Sequence, residues 1–319
     1  MKKSLVALAA LAVVGAASAQ VTITGTTSFS YQKDLSGTHG FALSDSYIEF
    51  GATEDLGGGV SLTMKNGLDT NGRNDTGSAP ASGDNTSIAV KGGFGSVTIK
   101  TYESDGPLAA VEGLSGASLS TGMFDLTGVN TGKKFRNGLT YAAPEIAGFT
   151  PALTYVTLAG TYQSTSTSDA ATKVVPAVTY KSGPLTAYAE YAVFNASYNN
   201  NADDQVTQPT VTAVYDFGVA TAGFGWSKPT NKGATYGLGV TVPVGAVTLG
   251  LSSFVYNGPV TGNTGNASWT EAAVGYALSK RTTLKASFGL VNDTFNSYAG
   301  NTASGATNGE YRFGIFHSF

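Results

Sequence analysis

The sequence predicts an all-β fold: a closed antiparallel transmembrane β-barrel of about sixteen strands. Three observations carry this. Apolar and polar residues alternate with period 2 along nearly the whole chain, the signature of strands rather than helices. Long and short connections alternate along the chain, which suits a barrel with short turns at one end and long loops at the other. The chain also opens on an export signal, and no later stretch is an apolar run long enough for a membrane helix, so entry into a membrane requires a barrel.

The signal is Met1–Ala19. Lys2 and Lys3 form a positive start, Leu5–Ala16 is apolar but too short to span a bilayer, and Ala17-Ser18-Ala19 is a small-residue cleavage site. Residues 20–319 are then one barrel domain beginning at Gln20. Loss of the two lysines takes the formal charge of −3 for the full chain to −5.

Composition narrows the function classes. Of 319 residues, 42 are Gly, 16 Tyr and 16 Phe, none is Cys, and only 12% are charged, about half the usual share of a soluble domain. Without Cys there are no disulfides, thiolate metal sites or thiol nucleophiles. No basic block addresses phosphates, so nucleic acid is not an expected partner.

Taken in order, Val21–Tyr31 sets Val21 and Ile23 against Thr22, Thr24 and Thr26. Leu43–Gly51 sets Ile48 and Phe50 against Tyr47 and Glu49, and Thr53–Gly59 turns into Val60–Leu68. Asn85–Gly92 and Ser96–Tyr102 flank a tight Gly92–Gly95 turn. Glu103–Lys134 is the longest interruption, too long for an ordinary connection, with a helical turn expected at Leu108–Gly113 behind Asp105-Gly106-Pro107. Strands resume at Phe135–Ala143 and follow near 149–158, 173–180, 185–194, 207–215, 219–226, 234–242, 246–256, 267–278 and 282–292, most of them near the ~9–11 residues a tilted membrane strand needs. The last strand, Gly309–Phe319, puts Tyr311, Phe313, Ile315 and Phe319 on one face and Arg312, Gly314 and Ser318 mainly on the other. Such a strand would also suit a β-sandwich core; in a barrel it closes the sheet against the first strand. A cation is expected to be costly at Phe313 and tolerated at Gly314. Aromatics near strand ends, Tyr141, Phe149, Tyr155, Tyr180, Tyr191, Phe217, Trp226, Tyr256 and Tyr276, fit interfacial girdles.

Met1–Ala19 with Val21–Gly25, Thr53–Gly59, Gly92–Thr98, Asn137–Phe149, Tyr276–Leu290 and the terminal Gly314–Phe319, in that order, resemble the Gram-negative general porins of the β-proteobacterial and neisserial type over the whole chain. The resemblance implies an outer-membrane homotrimer of water-filled barrels in lipid and lipopolysaccharide, passing small hydrophilic solutes and ions. It also implies that the long third loop, Glu103–Lys134, folds into the lumen, and that Phe319 is read by the outer-membrane assembly machinery. Two features depart from the family. An Arg and a Lys common near the second strand are replaced here by Tyr47–Ala52, and a Gly-Arg pair after the fifth by Lys100-Thr101-Tyr102-Glu103.

Strand parity points Lys65, Lys91, Lys100 and Arg136 inward on four consecutive strands, a basic wall. The infolded loop would set Glu103, Asp105, Glu112 and Asp125 opposite it, giving a transverse field at the constriction and a modest anion preference. Alternatives are a porin selective for small anions or carboxylates, and a secreted β-rich structural or adhesive protein without a pore; conductance separates the porins from the structural protein, and saturable block by one solute separates the two porins. Catalysis is not expected: the two histidines, His39 and His317, lie in no nucleophile or metal-ligand motif, and no cofactor is implied. N-terminal sequencing of the outer-membrane form should start at Gln20; a chain beginning at Met1 would contradict the cleavage site.

Overall fold

The structure, a computed structural model, describes residues 20–70, 82–103, 106, 108–117, 119, 135–158, 172–195, 206–258, 266–298 and 307–319. The signal segment lies outside them. The strands are β1 (Gln20–Lys33), β2 (His39–Leu43), β3 (Tyr47–Gly57), β4 (Val60–Asp69), β5 (Ser82–Gly92) and β6 (Gly95–Glu103). After the long third connection come β7 (Phe135–Ala142), β8 (Phe149–Leu158), β9 (Thr172–Ser182), β10 (Leu185–Phe194) and β11 (Val206–Asp216). The last six are β12 (Thr221–Ser227), β13 (Ala234–Val244), β14 (Val247–Asn257), β15 (Ala267–Ala277), β16 (Thr282–Val291) and β17 (Gly309–Ser318). All pair antiparallel with their neighbours in one 17-stranded sheet.

The sheet is closed. β1 pairs with β17 from Thr26↔Ser318 to Lys33↔Tyr311. Beyond that ladder Gly25 and Phe319 exchange both backbone bonds, Gly25 N–H to the Phe319 carbonyl at 3.2 Å and Phe319 N–H to the Gly25 carbonyl at 3.1 Å. On its other side β1 pairs first with β3 and then with β2, so these two strands occupy one place in the wall and the barrel is sixteen-stranded. The break between them differs from the continuous strand expected over Leu43–Gly51. Asp45 takes a positive φ of 27°. The hydroxyls of Ser28 and Ser30 each hydrogen-bond the Ser44 hydroxyl, and Ser28 N–H donates to Ser46 Oγ, in a buried cluster that satisfies this gap in the ladder.

Alternation fixes two faces. Outside stand Ile23, Phe29, Ile99, Leu139, Leu153, Leu238, Leu251, Phe288 and Ile315, all exposed, with Ile99 at 64%. Inside, Ser28, Ser30, Thr210, Ser252 and Ser287 are covered. An exposed apolar exterior around a polar interior inverts a soluble protein and is stable only where the exterior meets hydrocarbon. Turns at the β1 N-terminal end are short. Between β3 and β4 the chain reverses through Gly57, Gly58 and Gly59 at φ 81°, 63° and 76°, a left-handed path open chiefly to glycine. The connections at the opposite end are mostly long.

The girdle expectation is met by Tyr141, Phe149, Tyr155, Tyr191, Phe217 and Tyr276, all exposed, while Tyr180 and Trp226 are half-buried. It fails for Tyr256. That ring is 1% exposed and packs with Leu35, Phe254, Trp269, Val291 and Phe295 in a cluster inside the long-loop end. Its parity matches Ser252 and Phe254, whose side chains turn inward. A helix, α2 (Asp293–Tyr298), replaces part of the polar loop expected there. Asn292 Oδ1 accepts the Phe295 N–H at 2.9 Å, capping the helix, and Phe295 is driven into the same cluster.

On β17, Phe313 and Ile315 face outward at 44% and 43% exposure. Gly314 has the lumenal parity expected, yet it is not a tolerant position. A Cβ there would lie 2.6 Å from the Phe29 carbonyl oxygen and 2.8 Å from Ser30 Cβ, so close backbone approach at the closing pair demands glycine. The lumenal comparison therefore belongs at Thr24, which is exposed and paired with Glu49. Phe313→Lys should cost roughly 2–4 kcal/mol if near the midplane and Thr24→Lys under about 1 kcal/mol, read as denaturant midpoints of barrels refolded in lipid. Equal losses would reverse the assigned faces.

Candidate functional site

The lumen is shaped by what covers one side of it. Near the start of the third loop, α1 (Ala109–Glu112) runs into a 3₁₀ turn, Gly113–Ser115. This matches the turn expected near Leu108–Gly113, but its N-cap is Leu108 with no side-chain cap bond, and the Gly106 carbonyl accepts the Ala109 N–H at 3.2 Å. The segment lies inside the barrel against β11 to β15.

Three hydrogen bonds stitch it to the wall. Thr241 Oγ1 donates to the Leu114 carbonyl at 2.5 Å, Ser115 Oγ to Glu271 Oε2 at 2.9 Å, and Ser287 Oγ to the Ala117 carbonyl at 2.7 Å. Leu108 and Val111 enter the apolar cluster beside Phe254 and Trp269. The wall beneath is cleared for it. Cβ atoms at Gly239 and Gly250 would collide with the Val111 and Ser115 carbonyls, and those at Gly223 and Gly225 would come 2.8 Å from Leu114 and Leu108 side-chain carbons. The inward glycines of β12 to β14 are thus the floor of a groove that receives the loop backbone.

The proposed basic residues lie across the lumen from this groove. Register places all four on one face: Lys65 pairs with Ser87, Ser87 with Lys100, Lys100 with Gly138, Tyr102 with Arg136, and Lys91 with Ser61 and Ser96. They do not form one layer. Lys65 and Lys100 share a hydrogen-bonded row through Ser87, Arg136 lies one inward step further toward the long loops, and Lys91 sits beside Gly92 at the short-turn rim. Lys91 is therefore separated from the other three. Lys65 Nζ is ion-paired with Glu49 Oε1 at 2.8 Å while its side chain stays 52% exposed. Lys100 Nζ sits 4.1 Å from the centroid of the Tyr102 ring, which lies over Gly138. Arg136 is almost fully covered, at 1% exposure.

The proposed acids fare differently. Glu103 is the last residue of β6, not part of the inserted loop, and its parity is that of Val97 and Ile99 on the outer face, because strand pairing with β7 continues through Glu103↔Phe135. Glu112 ends α1 on the inserted segment. Asp105 and Asp125 lie outside the described residues.

Sequence reasoning passed over other lumenal charges that the same parity would have found. Lys173 continues the Lys65–Lys100 row through Gly138 and Val156. Lys285 and Arg312 face inward on β16 and β17, the latter 3.4 Å from Asp45 Oδ2 and donating through Nε to Gln32 Oε1 at 3.1 Å. Glu190 accepts from the Tyr188 hydroxyl at 2.6 Å. Glu271 and Glu310 lie inward on β15 and β17 but are buried, at 2% and 4%. Lys65 thus keeps a half-exposed side chain on the wall, while these two acids, like Arg136, are withdrawn from water.

A family model described as Gram-negative porin matches residues 4–296. Outer membrane porin protein 32 of Delftia acidovorans is 28% identical over 371 aligned positions, spanning 100% of both chains. Among solved structures, an anion-selective porin from Comamonas acidovorans aligns with a TM-score of 0.66 at 22% identity, over 95% of this chain and 100% of that one. A variant of Rh. blastica porin aligns with a TM-score of 0.64 at 16% identity, over 94% and 100%. At these identities the structural likenesses speak for the fold.

If the glycine groove seats the loop, Gly250→Val should push the Ser115 carbonyl off the wall and toward the basic side. Lower single-channel conductance is expected, with the closed barrel retained as a heat-modifiable band on a denaturing gel. Unchanged conductance in a folded barrel would mean that the loop does not bound the narrowest passage.

Proposed function

Because the chain belongs to the Gram-negative porin family, we propose that its outer-membrane barrel is a passive diffusion channel for small hydrophilic solutes and ions with a modest preference for anions. It is a channel protein rather than an enzyme by family, and passage down a gradient needs neither bond chemistry nor a cofactor. The observation that supports the anion preference is the asymmetry of the lumen. The inserted segment occupies the β11–β15 side, and the wall opposite it carries Lys65 and Lys100, with Arg136 covered beside them.

The sign follows from which charges reach the water column. The full chain carries −3, which by itself favours cations. Charges separated from a permeating ion by more than ~8–10 Å are screened at physiological salt, so those lining the narrowest passage dominate. Glu271 and Glu310 are buried, and Glu49 and Lys65 offset one another. Arg136 is also covered, so Lys100 carries most of the effect, Lys65 serves mainly to offset Glu49, and the preference is modest. The anion selectivity named for the Comamonas acidovorans porin agrees with this direction.

The same proposal includes a homotrimer, each barrel with its own pore, in lipid and lipopolysaccharide. It includes recognition of the exposed Phe319 by the assembly machinery. The terminal ring supports this, since it packs outward over Gly25 at the closing pair.

The zero-current potential in a salt gradient tests the selectivity. The wild type should lie on the anion side. Lys65→Glu/Lys100→Glu should move it to the cation side while heat-modifiable trimers persist, since Glu at 65 would also stand beside an unpaired Glu49. An unchanged potential would remove these lysines from the constriction.

A further inference from the structure

Beneath the inserted segment lies a recess of about 230 Å³ that no step above uses. Its roof is the loop backbone at Gly113–Gly116. Its wall is the inner face of β13 to β16, chiefly Thr248, Gly275, Thr283 and Lys285. We infer that this recess is a holding site for a small hydroxylated monocarboxylate on its way through the pore. The inference rests on the channel reading and assigns a solute class to a specific part of that channel.

Space comes first. The wall residues Gly250, Ala273, Gly275 and Ala277 are the smallest available, and not all of that smallness serves loop seating. Gly250 is tight against the loop, but a Cβ at Gly275 would meet only Thr283 Cγ2 at 3.5 Å and the Thr248 carbonyl at 4.0 Å, ordinary contacts. At Gly113 and Gly116 a Cβ would meet nothing within 4 Å. The recess is larger than the ~150 Å³ cavity that accommodates benzene and smaller than the ~300–1,000 Å³ clefts of drug-sized ligands. An occupant of about three to six carbons fits that interval.

Chemistry comes second. Lys285 supplies one positive charge, with Nζ held 4.5 Å from the centroid of the Phe316 ring. Thr241 spends its hydroxyl on the Leu114 carbonyl, whereas those of Thr248 and Thr283 make no hydrogen bond within the described residues. A hydroxyl both donates and accepts. One cation flanked by two uncommitted hydroxyls in a wall of glycine and alanine matches one carboxylate with hydroxyls beside it. A dianion would find only one countercharge, and a simple fatty acid would leave both threonines unused.

The probe is potassium gluconate added to the purified full-length protein in planar bilayers bathed in KCl, with potassium acetate and glucose as comparisons. Gluconate should lower single-channel conductance along a saturating curve, and acetate and glucose should not saturate over the same range. Lys285→Gln should raise the half-saturating gluconate concentration roughly tenfold, as expected for loss of a charged hydrogen bond, and Lys285→Arg should largely preserve it. Gly275→Val, which fills the recess while leaving the lysine's charge in place, should weaken saturation in a barrel that still shows heat modifiability, covering the case in which a Lys285 variant folds poorly. A linear response in the wild type, or unchanged half-saturation in both Lys285→Gln and Gly275→Val, overturns the inference. Failure here is distinguishable from failure of the selectivity reading: Lys285→Gln leaves Lys65 and Lys100 in place, so its zero-current potential should stay on the anion side.

Discussion

The structure depends on one constraint: within a bilayer each backbone N–H and carbonyl must find its partner inside the protein. A sheet meets it only by closing. Here closure is made by β1 and β17 and finished by the paired bonds between Gly25 and Phe319. The requirement reaches individual residues. Gly314 is glycine because the closing strand passes too close to Phe29 and Ser30 for a side chain, and Gly25 because the Tyr47 carbonyl and the terminal Phe319 ring lie against it. A position facing water can thus be as intolerant as one facing lipid, for a reason unrelated to charge.

Closure of so wide a barrel leaves a lumen that wall side chains alone do not fill. The inserted loop takes part of that space, and its seat is built by subtraction. Glycines on β12 to β14 remove side chains along a track, and hydroxyls of Thr241, Ser115 and Ser287 tie the loop at both sides of it. Each such bond contributes about 0.5–1.5 kcal/mol net, and burial of Leu108 and Val111 adds roughly 1.5–3 kcal/mol per side chain. A segment anchored by several such terms holds the pore narrow against thermal motion. The recess beneath it is what remains where wall and loop do not meet.

Lumenal charge is then a matter of exposure rather than count. Glu271 is an inward acid, but its role is to accept from Ser115 beneath the loop. Lys65 is half exposed and shares its charge with Glu49, while Lys100 lies over Tyr102. The same number of charges, differently covered, would present a different field to the water column.

How much was legible in the sequence follows from the range of each interaction. Period 2 sets which face a residue joins, so the outward Phe313 and Ile315, the inward Lys65, Lys91, Lys100 and Arg136, and the alternation of short and long connections could be read from local order alone. Parity says nothing about height around a tilted wall, because that depends on register with neighbours far along the chain. Only the ladder pairs show that Lys65 and Lys100 share a row while Lys91 stands at the rim. Local pattern likewise could not tell where β6 ends, and so placed Glu103 in the loop when pairing with Phe135 keeps it in the strand. The burial of Tyr256, the capped helix after Asn292 and the glycine seat under Leu114 all involve partners brought together only by closure. The sequence by itself determined the barrel and its two faces, since these rest on periodicity and composition. The tertiary structure decided the constriction, because which charges meet water depends on where a loop lands on strands more than a hundred residues away, as in the Thr241 bond to Leu114 at a separation of 127.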